Sequence, residues 1–228
     1  NVPVAWRSQY AGLFKFVYRG VTHYFIDNEY YFKRPNLYGY YDDAERFAFF
    51  TRAVLELMPH MDFRPNILHS NDWHTALVPI YYKLYYMRAA GYEGIQNLIT
   101  IHNIEYQGKY DGYLLEDVFG ISGFEYYTLE WGGCVNLLYG AIAYSDMVST
   151  VSRTYAQELR GAAHACGLEN AIDRYAYKLT GIVNGIDTEV YNPETAPALF
   201  AHYSAEKPEL KAENKRGLQR LLGLPERP

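Results

Sequence analysis

The fold of this 228-residue chain follows from the sequence NLITI at residues 97–101, which continues as HNIEYQG at residues 102–108. The first string is short, apolar and rich in β-branched residues, so it predicts a buried strand. The second string is polar and ends in Gly108, which predicts a loop that presents side chains and backbone amides at the end of the strand. Polar groups at the carboxyl end of a buried strand are typical of a ligand site in an α/β protein.

The same arrangement occurs twice more along the chain. A strand predicted at residues 66–69 ends in SNDWH at 70–74, and a strand predicted at 178–183 ends in NGID at 184–187. Amphipathic helices separate these near-continuously apolar strands. This pattern predicts an α/β fold with a Rossmann-like, open, mostly parallel sheet and helices on both faces. Because ligands bind at the carboxyl edge of such sheets, we expect the three polar clusters to converge at one site.

Hydrophobic spacing predicts the remaining elements. Asp42 and Asp43 offer an N-cap for a helix that Pro59 ends. Pro79 lies within another predicted helix and should kink it or mark its first turns. The other expected elements are strands at 21–26 and 147–151 and helices at 73–89, 134–144, 152–160 and 206–222.

Composition limits the functional classes. The net charge of −5 disfavours nucleic acid as a partner, because phosphate binding needs a basic face. No apolar run of about 18 residues predicts a membrane span, and no signal-peptide pattern opens the chain. Cys134 and Cys166 form no CxxC pair, so we expect a cytoplasmic protein without a disulfide framework or zinc ribbon. The 25 tyrosines suit stacking on sugar rings or a tyrosine-rich core without ligand meaning.

Each polar cluster also has a purely structural interpretation. Asp72 precedes a helix and is typical of an N-cap, a role compatible with a place at the mouth of a cleft. His102 taken alone is typical of a hydrogen-bonded core histidine, and Asn184 with Gly185 is an ordinary turn pair. The convergence of the clusters, and not any single residue, therefore carries the prediction of a site.

Other catalytic classes find little support. His69, Asp72 and His74 superficially suggest a metal hydrolase, but they lack the tight spacing that such sites use. The chain contains no GxSxG elbow, HExxH helix, Walker-type loop or GxGxxG fingerprint. We therefore expect no metal and no dinucleotide cofactor.

Three longer strings resemble bacterial glycogen synthases and plant starch synthases. They are HSNDWHTALVP at 69–79, TIHNIEYQG at 100–108 and GIVNGIDTEVYNPET at 181–195. Shorter strings at 25–32, 34–39, 45–50, 151–156 and 211–215 agree with the same family. Order and spacing match over nearly the whole chain, and this agreement makes the combined resemblance specific.

The resemblance implies the N-terminal half of a GT-B glycosyltransferase. Such an enzyme transfers glucose from ADP-glucose to the non-reducing end of an α-1,4-glucan, with retention of configuration and without a metal. Residues 1–205 match the catalytic domain without its first strand and its Lys-x-Gly-Gly phosphate loop. Residues 206–228 match a helix and linker towards a C-terminal nucleotide-binding domain, which the sequence lacks and which would be its partner. We expect the fragment alone to be inactive, and the alternative is a non-catalytic α-glucan-binding module. In either case we expect neither nucleic acid nor a membrane as a partner.

The resemblance also implies roles for individual residues. His102 would contact the transferred glucose partly through its backbone carbonyl, and Asp72 would bind sugar hydroxyls and position the acceptor. Tyr106 and Gln107 would shape their loop. All implied substrate-binding positions beyond the catalytic pair are Tyr38, Asn103, Tyr106, Gln107 and Asn184. The sequence departs from the family at Tyr139, where lysine is common, and at residues 161–170, which lack the usual Tyr-Gly-rich pattern.

Overall fold

The computed structural model describes residues 1–227. The strands are β1 (Val2–Val4), β2 (Arg7–Gln9), β3 (Gly12–Tyr18), β4 (Val21–Asp27), β5 (Ile67–Asn71), β6 (Gln96–Ile101), β7 (Lys109–Tyr110), β8 (Glu130–Trp131), β9 (Cys134–Asn136), β10 (Met147–Thr150) and β11 (Leu179–Gly181). The α-helices are α1 (Glu29–Phe32), α2 (Asp43–Leu57), α3 (Leu77–Tyr81), α4 (Leu114–Asp117), α5 (Tyr126–Leu129), α6 (Leu137–Tyr144), α7 (Arg153–Glu158), α8 (Glu169–Arg174) and α9 (Lys211–Leu221). Short 3-10 turns lie at Met58–His60, Trp73–Thr75, Gly123–Glu125, Ala176–Lys178 and Pro208–Leu210, and a π-helical turn covers Tyr82–Tyr86.

A four-stranded parallel sheet in the order β11-β10-β6-β5 forms the centre of the fold. β6 pairs with β5 up to Asn71↔Thr100 and with β10 up to Thr150↔Ile101. Helices α3, α6 and α7 pack against these strands. The predicted α/β fold with an open parallel sheet is confirmed, and β5 and β6 end side by side.

Small antiparallel sheets lie outside the central one. β1 pairs with β2, β3 pairs with β4, and β9 lies between β7 and β8. The strand predicted at residues 21–26 is confirmed as β4. Its partner β3 was not among the expected elements, because its tyrosine and phenylalanine content gives no clear alternation of polar and apolar residues.

Helix α2 begins and ends close to the predicted limits, but Asp42 does not cap it with its side chain. The Asp42 carboxylate instead accepts two hydrogen bonds of 2.6 Å from the Arg34 guanidinium. Arg34 thereby holds the pKa of Asp42 below its usual range. The helix start is therefore fixed by a contact with the preceding loop and not by a local cap.

Residues 73–89 do not form the continuous helix that the sequence predicted. A 3-10 turn comes first. Pro79 is the third residue of α3, where a backbone N–H would have no partner within the helix, so the lack of this group in proline costs little. The Met87 N–H then bonds the Tyr82 carbonyl at 2.8 Å, five residues back, so the chain widens into the π turn. Pro79 thus marks the first turns and does not kink a long helix.

The helix predicted at residues 134–144 begins three residues later than expected. Residues 134–136 form β9, because they pair with β7 and β8. The Asn136 side chain then accepts a 3.0 Å hydrogen bond from the Tyr139 N–H and caps α6. Tertiary pairing has replaced the first helical turn.

The core lies between the central sheet and its helices. Several of its members are tyrosines whose hydroxyls donate to backbone carbonyls, as Tyr81 does to Phe119 at 2.8 Å and Tyr92 to Leu55 at 2.7 Å. Burial raises the pKa of both phenols. Part of the tyrosine content is therefore structural. Large buried members of the core include Tyr31, Phe49, Leu55, Ile80, Ile99 and Leu138.

The chain divides into two compact units, one from Asn1 to Val183 and a second that begins at Asn184. The sequence placed a division at 205/206 instead. The difference concerns residues 184–205, which pack with α9: the Asn214 side chain bonds the backbone of Ala201 at 2.7 and 3.2 Å. No helix within residues 1–227 is long and apolar enough to cross a bilayer.

Candidate active site

Asp72 joins the strand-end clusters of β5 and β6. Its N–H bonds the Thr100 carbonyl at 2.9 Å, which continues the pairing of the two strands by one residue. Its Oδ1 atom accepts the N–H of His102 at 2.8 Å and that of Asn103 at 3.3 Å. The predicted convergence of these two clusters is therefore present as direct hydrogen bonds.

The backbone of Asp72 has φ 55° and ψ −176°, a region that glycine occupies and other residues rarely do. Asp72 stands at the N-cap position of the 3-10 turn, but its side chain makes no cap hydrogen bond there. The N-cap interpretation is thus wrong in its contacts, because the carboxylate turns to the neighbouring loop. Strained backbone held in place by tertiary bonds is common at functional sites.

A cleft of about 500 Å³ opens beside Asp72, and we call it the Asp72 cleft. Four of the predicted site residues line it, namely Tyr38, Asp72, Asn103 and Tyr106. Tyr38 and Tyr106 are more than half exposed. The complete lining is Tyr38, Gly39, Asp43, Asp72, Trp73, His74, Asn103 and Tyr106. Aromatic faces with a carboxylate and an amide suit a neutral polyhydroxylated ligand.

His102 lies at the edge of this arrangement. Its side chain is exposed, and its Nε2 atom is 3.0 Å from the Asn71 Oδ1 atom. The His102 N–H donates to the Asp72 carboxylate, so the residue that follows β5 holds the backbone at the end of β6. The structural interpretation of His102 as a core histidine is therefore wrong, because the side chain is exposed.

Three comparisons with known proteins agree with this geometry. Residues 1–174 match the family model described as the starch synthase catalytic domain. The chain belongs to this starch synthase family. It is 47% identical over 228 residues to a glycogen synthase of Geobacillus thermodenitrificans (strain NG80-2), covering 99% of this chain and 47% of that one. Against a glycogen synthase of Bacillus cereus (strain B4264), it is 48% identical over 230 residues, covering 100% of this chain and 48% of the relative.

A solved structure is similar over nearly all of the chain. It is the catalytic domain of starch synthase IV from Arabidopsis thaliana bound to ADP and acarbose, with a TM-score of 0.79 and 35% identity. The match covers 96% of this chain and 46% of that structure. The chain therefore spans about half the length of the relatives that it matches.

Gln107 supports the site loop of this starch synthase family member from within. Its side chain is buried; its amide nitrogen donates to the Ile104 carbonyl at 3.0 Å, and its Oε1 atom accepts from Asn136 at 2.8 Å. Next to it, Gly108 has φ 63°, and a Cβ atom there would lie 2.7 Å from Trp73 Cε3. Gln107 thus bonds within its own loop, and its assignment as a substrate-binding residue stays a prediction.

Asp43 is a site residue that sequence reasoning missed, because it was interpreted only as a helix cap. Its carboxylate accepts the N–H groups of Gly39 at 2.6 Å and Tyr40 at 3.0 Å, and it bonds the guanidinium of Arg46. Asp43 and Arg46 are both buried. The pair holds the loop that brings Tyr38 to the Asp72 cleft. The sequence signal was an acid and a base three residues apart at a helix start.

His74 is a second residue whose place the sequence did not reveal. Its ring lies 5.2 Å from that of Tyr38 and 4.3 Å from that of Trp73, and burial lowers its pKa. Among the described residues its buried Nε2 atom has no hydrogen-bond partner. His74 lines both the Asp72 cleft and an adjoining cavity of about 640 Å³.

The suggested metal ligands do not form a cluster. The His69 Nε2 atom lies 2.7 Å from the Thr100 hydroxyl, which lies 2.6 Å from the Ser149 hydroxyl, so His69 belongs to a hydrogen-bond chain across the sheet. Burial, together with His102, lowers the pKa of His69. Within residues 1–227 no three His, Cys, Asp or Glu side chains are arranged to hold a metal ion.

Asn184 is the first residue of the second unit and is exposed. It follows β11, as the sequence predicted, but nothing in the first unit defines its role. Its assignment as a substrate-binding residue stays a prediction.

Proposed function

We propose that this chain supplies the acceptor-binding half of a retaining glucosyltransferase. The reaction transfers glucose from ADP-glucose to the non-reducing end of an α-1,4-glucan. The observation that carries this proposal is the pair of hydrogen bonds from the His102 and Asn103 N–H groups to the Asp72 carboxylate on the lining of the Asp72 cleft. Membership of the starch synthase family supports it, and it favours a transferase over a non-catalytic glucan-binding module.

In the proposed reaction, the bond from glucose C1 to the diphosphate breaks and a bond from C1 to the acceptor hydroxyl oxygen forms on the same face. The leaving diphosphate takes the proton of that hydroxyl, so the protein needs no general base. The His102 carbonyl would stabilise the positive charge that develops on the sugar ring, because a fixed dipole needs no reorganisation during the reaction. The Asn103 N–H, which belongs to the same peptide group as this carbonyl, donates to the Asp72 carboxylate at 3.3 Å.

Asp72 and the aromatic residues would hold the acceptor. Within residues 1–227 the Asp72 Oδ2 atom accepts no hydrogen bond, so it is available to sugar hydroxyls. Tyr38 and Tyr106 offer exposed ring faces on the lining of the cleft. Asn103 presents its amide from the same loop as His102. We also propose that no metal takes part and that the protein is cytoplasmic.

The test is an incorporation assay with the full-length protein, radiolabelled ADP-glucose and glycogen, run with EDTA present. We expect incorporation in EDTA. The His102 imidazole would contact the transferred glucose beside the carbonyl, so His102→Ala should lower kcat about 100-fold or more, with circular dichroism unchanged because the side chain is exposed. No incorporation by the unaltered protein with or without added divalent metal would refute the proposal. Incorporation that requires metal would refute the metal-free part alone.

A further inference from the structure

A polar cavity lies at the amino edge of the central sheet, whereas the Asp72 cleft lies at the carboxyl edge. Ser145 and Asp146 directly precede β10, and Lys178 directly precedes β11. These residues help to line a cavity of about 350 Å³, which we call the Lys178 cavity and which shares no lining residue with the Asp72 cleft. The lining residues that matter below are Lys83, Ser145, Asp146, Tyr177 and Lys178.

Ser145 brings an incomplete hydrogen-bonding group to the Lys178 cavity. The residue is only 3% exposed, and within residues 1–227 its buried Oγ atom has no hydrogen-bond partner. A buried hydroxyl without a partner is destabilising unless a bound molecule completes its bonding. The Ser145 side chain therefore points to a molecule held in the cavity.

The acceptors around the cavity are already in use. The Asp146 carboxylate accepts from the Lys83 Nζ atom at 2.8 Å through Oδ1, and from the Asn97 N–H at 2.7 Å through Oδ2. Two backbone carbonyls at the end of α6 accept from the Lys178 Nζ atom at 3.0 and 2.6 Å. A ligand of this cavity would therefore meet mainly donors.

Two ammonium groups and the free hydroxyl supply these donors. An ammonium group has three N–H bonds, and the contacts above use two on Lys178 and one on Lys83. The two lysines also outnumber the single carboxylate of Asp146, so the cavity is positive in a chain whose net charge is −5. This combination suits an anion with several acceptor oxygens.

The position of Lys178 gives an anion a further reason to bind. Burial lowers the pKa of Lys178 to about 8, and Lys83 lowers it as well, whereas Asp146 raises it. A second negative charge in the cavity would offset both the burial of this ammonium group and its repulsion by Lys83.

We infer that the Lys178 cavity binds a phosphoryl group, either as inorganic phosphate or as a phosphate ester of a small metabolite. Phosphate oxygens accept several charge-assisted hydrogen bonds at once, which matches the donors of Lys83, Ser145 and Lys178. A cavity of about 350 Å³ is at the small end of ligand pockets, so it suits a small ester better than a nucleotide. The inference is independent of the proposed transferase activity, because it uses a different edge of the sheet.

Calorimetric titration of the full-length protein with inorganic phosphate at pH 7 and constant ionic strength tests the inference. We expect saturable binding with a Kd of about 1 mM or tighter. Ser145→Ala should raise this Kd about tenfold, because a hydrogen bond to a charged ligand is lost. Ser8→Ala is the matched control, since Ser8 is exposed on β2 and lies outside the cavity lining.

A pair of charge variants at Tyr177 gives a second measurement that does not disturb the core. Tyr177 lines the cavity but is 82% exposed. We expect Tyr177→Glu to raise the Kd for phosphate about threefold and Tyr177→Lys to lower it about threefold, through the added charge near the ligand. Tyr127→Glu is the control, because Tyr127 is 84% exposed and lies outside the lining. Circular dichroism shows whether each variant is folded.

Glycerol 3-phosphate in place of inorganic phosphate identifies the source of the phosphoryl group. Tighter binding of the ester that is weakened in Ser145→Ala assigns the cavity to a small phosphorylated metabolite. Weaker binding of the ester assigns it to the free phosphate ion. Absence of saturable binding of either probe up to about 20 mM would overturn the inference, with water alone completing the Ser145 hydroxyl. A Kd that is the same in the wild type, Ser145→Ala and both Tyr177 variants would overturn it as well, because the phosphate would then bind elsewhere.

Discussion

Asp72 joins two parts of the site. Its backbone has a conformation that is strained for every residue with a Cβ atom. Its φ of 55° and ψ of −176° lie where a Cβ atom is strained, a cost of about 1–3 kcal/mol for residues other than glycine. Its carboxylate offsets this cost by accepting the N–H groups of His102 and Asn103. Asp72 therefore supplies a carboxylate to the site at a cost in local stability that glycine would not have.

A pair of substitutions separates these two effects. Asp72→Ala and Asp72→Gly both remove the carboxylate, but only glycine relieves the backbone. We expect Asp72→Gly to be more stable than Asp72→Ala by about 1 kcal/mol in urea unfolding, while both lose transfer activity in the full-length protein. Ala156→Gly in α7 is the control and should have the opposite sign, costing about 1 kcal/mol. Equal stability of the two Asp72 variants would contradict the assignment of strain.

At the scale of elements, the start of α2 positions one wall of the Asp72 cleft. Asp43 lies in its first turn and bonds the backbone of residues 39 and 40. Arg46 pairs with Asp43 and also donates to the carbonyls of Tyr31 at 2.8 Å and Leu37 at 3.1 Å. The loop before the helix is thus fixed by a buried ion pair within the helix.

Removing the cation of this pair should be costly. Arg46→Met leaves the Asp43 carboxylate buried without its cation, so we expect a loss of about 3 kcal/mol in the free energy of unfolding. The control is Arg160→Met, which breaks the Arg160–Asp173 pair, whose side chains are 55% and 60% exposed, and should cost less than about 1 kcal/mol. Similar losses in the two variants would show that burial of the pair has no special weight.

The end of α6 depends on a lysine from a distant segment. Lys178 is buried, and its Nζ atom donates to the carbonyls of Ala143 at 3.0 Å and Ser145 at 2.6 Å. Such bonds satisfy carbonyls that a helix end leaves without partners. Burial lowers the pKa of Lys178 from 10.5 to about 8.

This shift predicts a pH dependence of stability. Between pH 8 and pH 10.5 the unfolded chain keeps the Lys178 proton while the folded chain has largely lost it. The free energy of unfolding of the wild type should therefore rise with pH over this range relative to that of Lys178→Met. Urea unfolding of both proteins at pH 7.5, 9 and 10 measures the difference, and a difference that stays flat would show that the lysine is not desolvated.

At the scale of the whole molecule, all residues that line the Asp72 cleft belong to the first unit, and the chain spans about half the length of its relatives. A cleft that meets its ligand with one wall should bind short sugars weakly. We expect calorimetric titration of this chain with maltotriose to give a Kd of about 1 mM or weaker. Micromolar binding would instead favour a self-sufficient glucan-binding module and would count against a divided active site.

The sequence by itself determined the parallel sheet and the position of its polar edge. Strand and helix periodicities are local properties. Residues 66–69 and 97–101 therefore predicted β5 and β6 even though their neighbouring strands were not known. The direction of parallel strands then placed Asp72 and His102 at the same edge. Tyr38 was placed through the family resemblance, because nothing in its local pattern distinguishes it from the many other tyrosines.

Only the tertiary structure decided how these residues are held. Asp72 bonds residues 30 and 31 positions away, and β9 replaced a helical turn because β7 and β8 supply its hydrogen bonds. The bonds from Arg46 to the carbonyls of Tyr31 and Leu37, and the unpartnered Nε2 atom of His74, likewise depend on segments that meet only after folding. Periodicity reports which face of an element is buried, whereas the partner of a carboxylate or an imidazole is set by packing between segments that are distant along the chain.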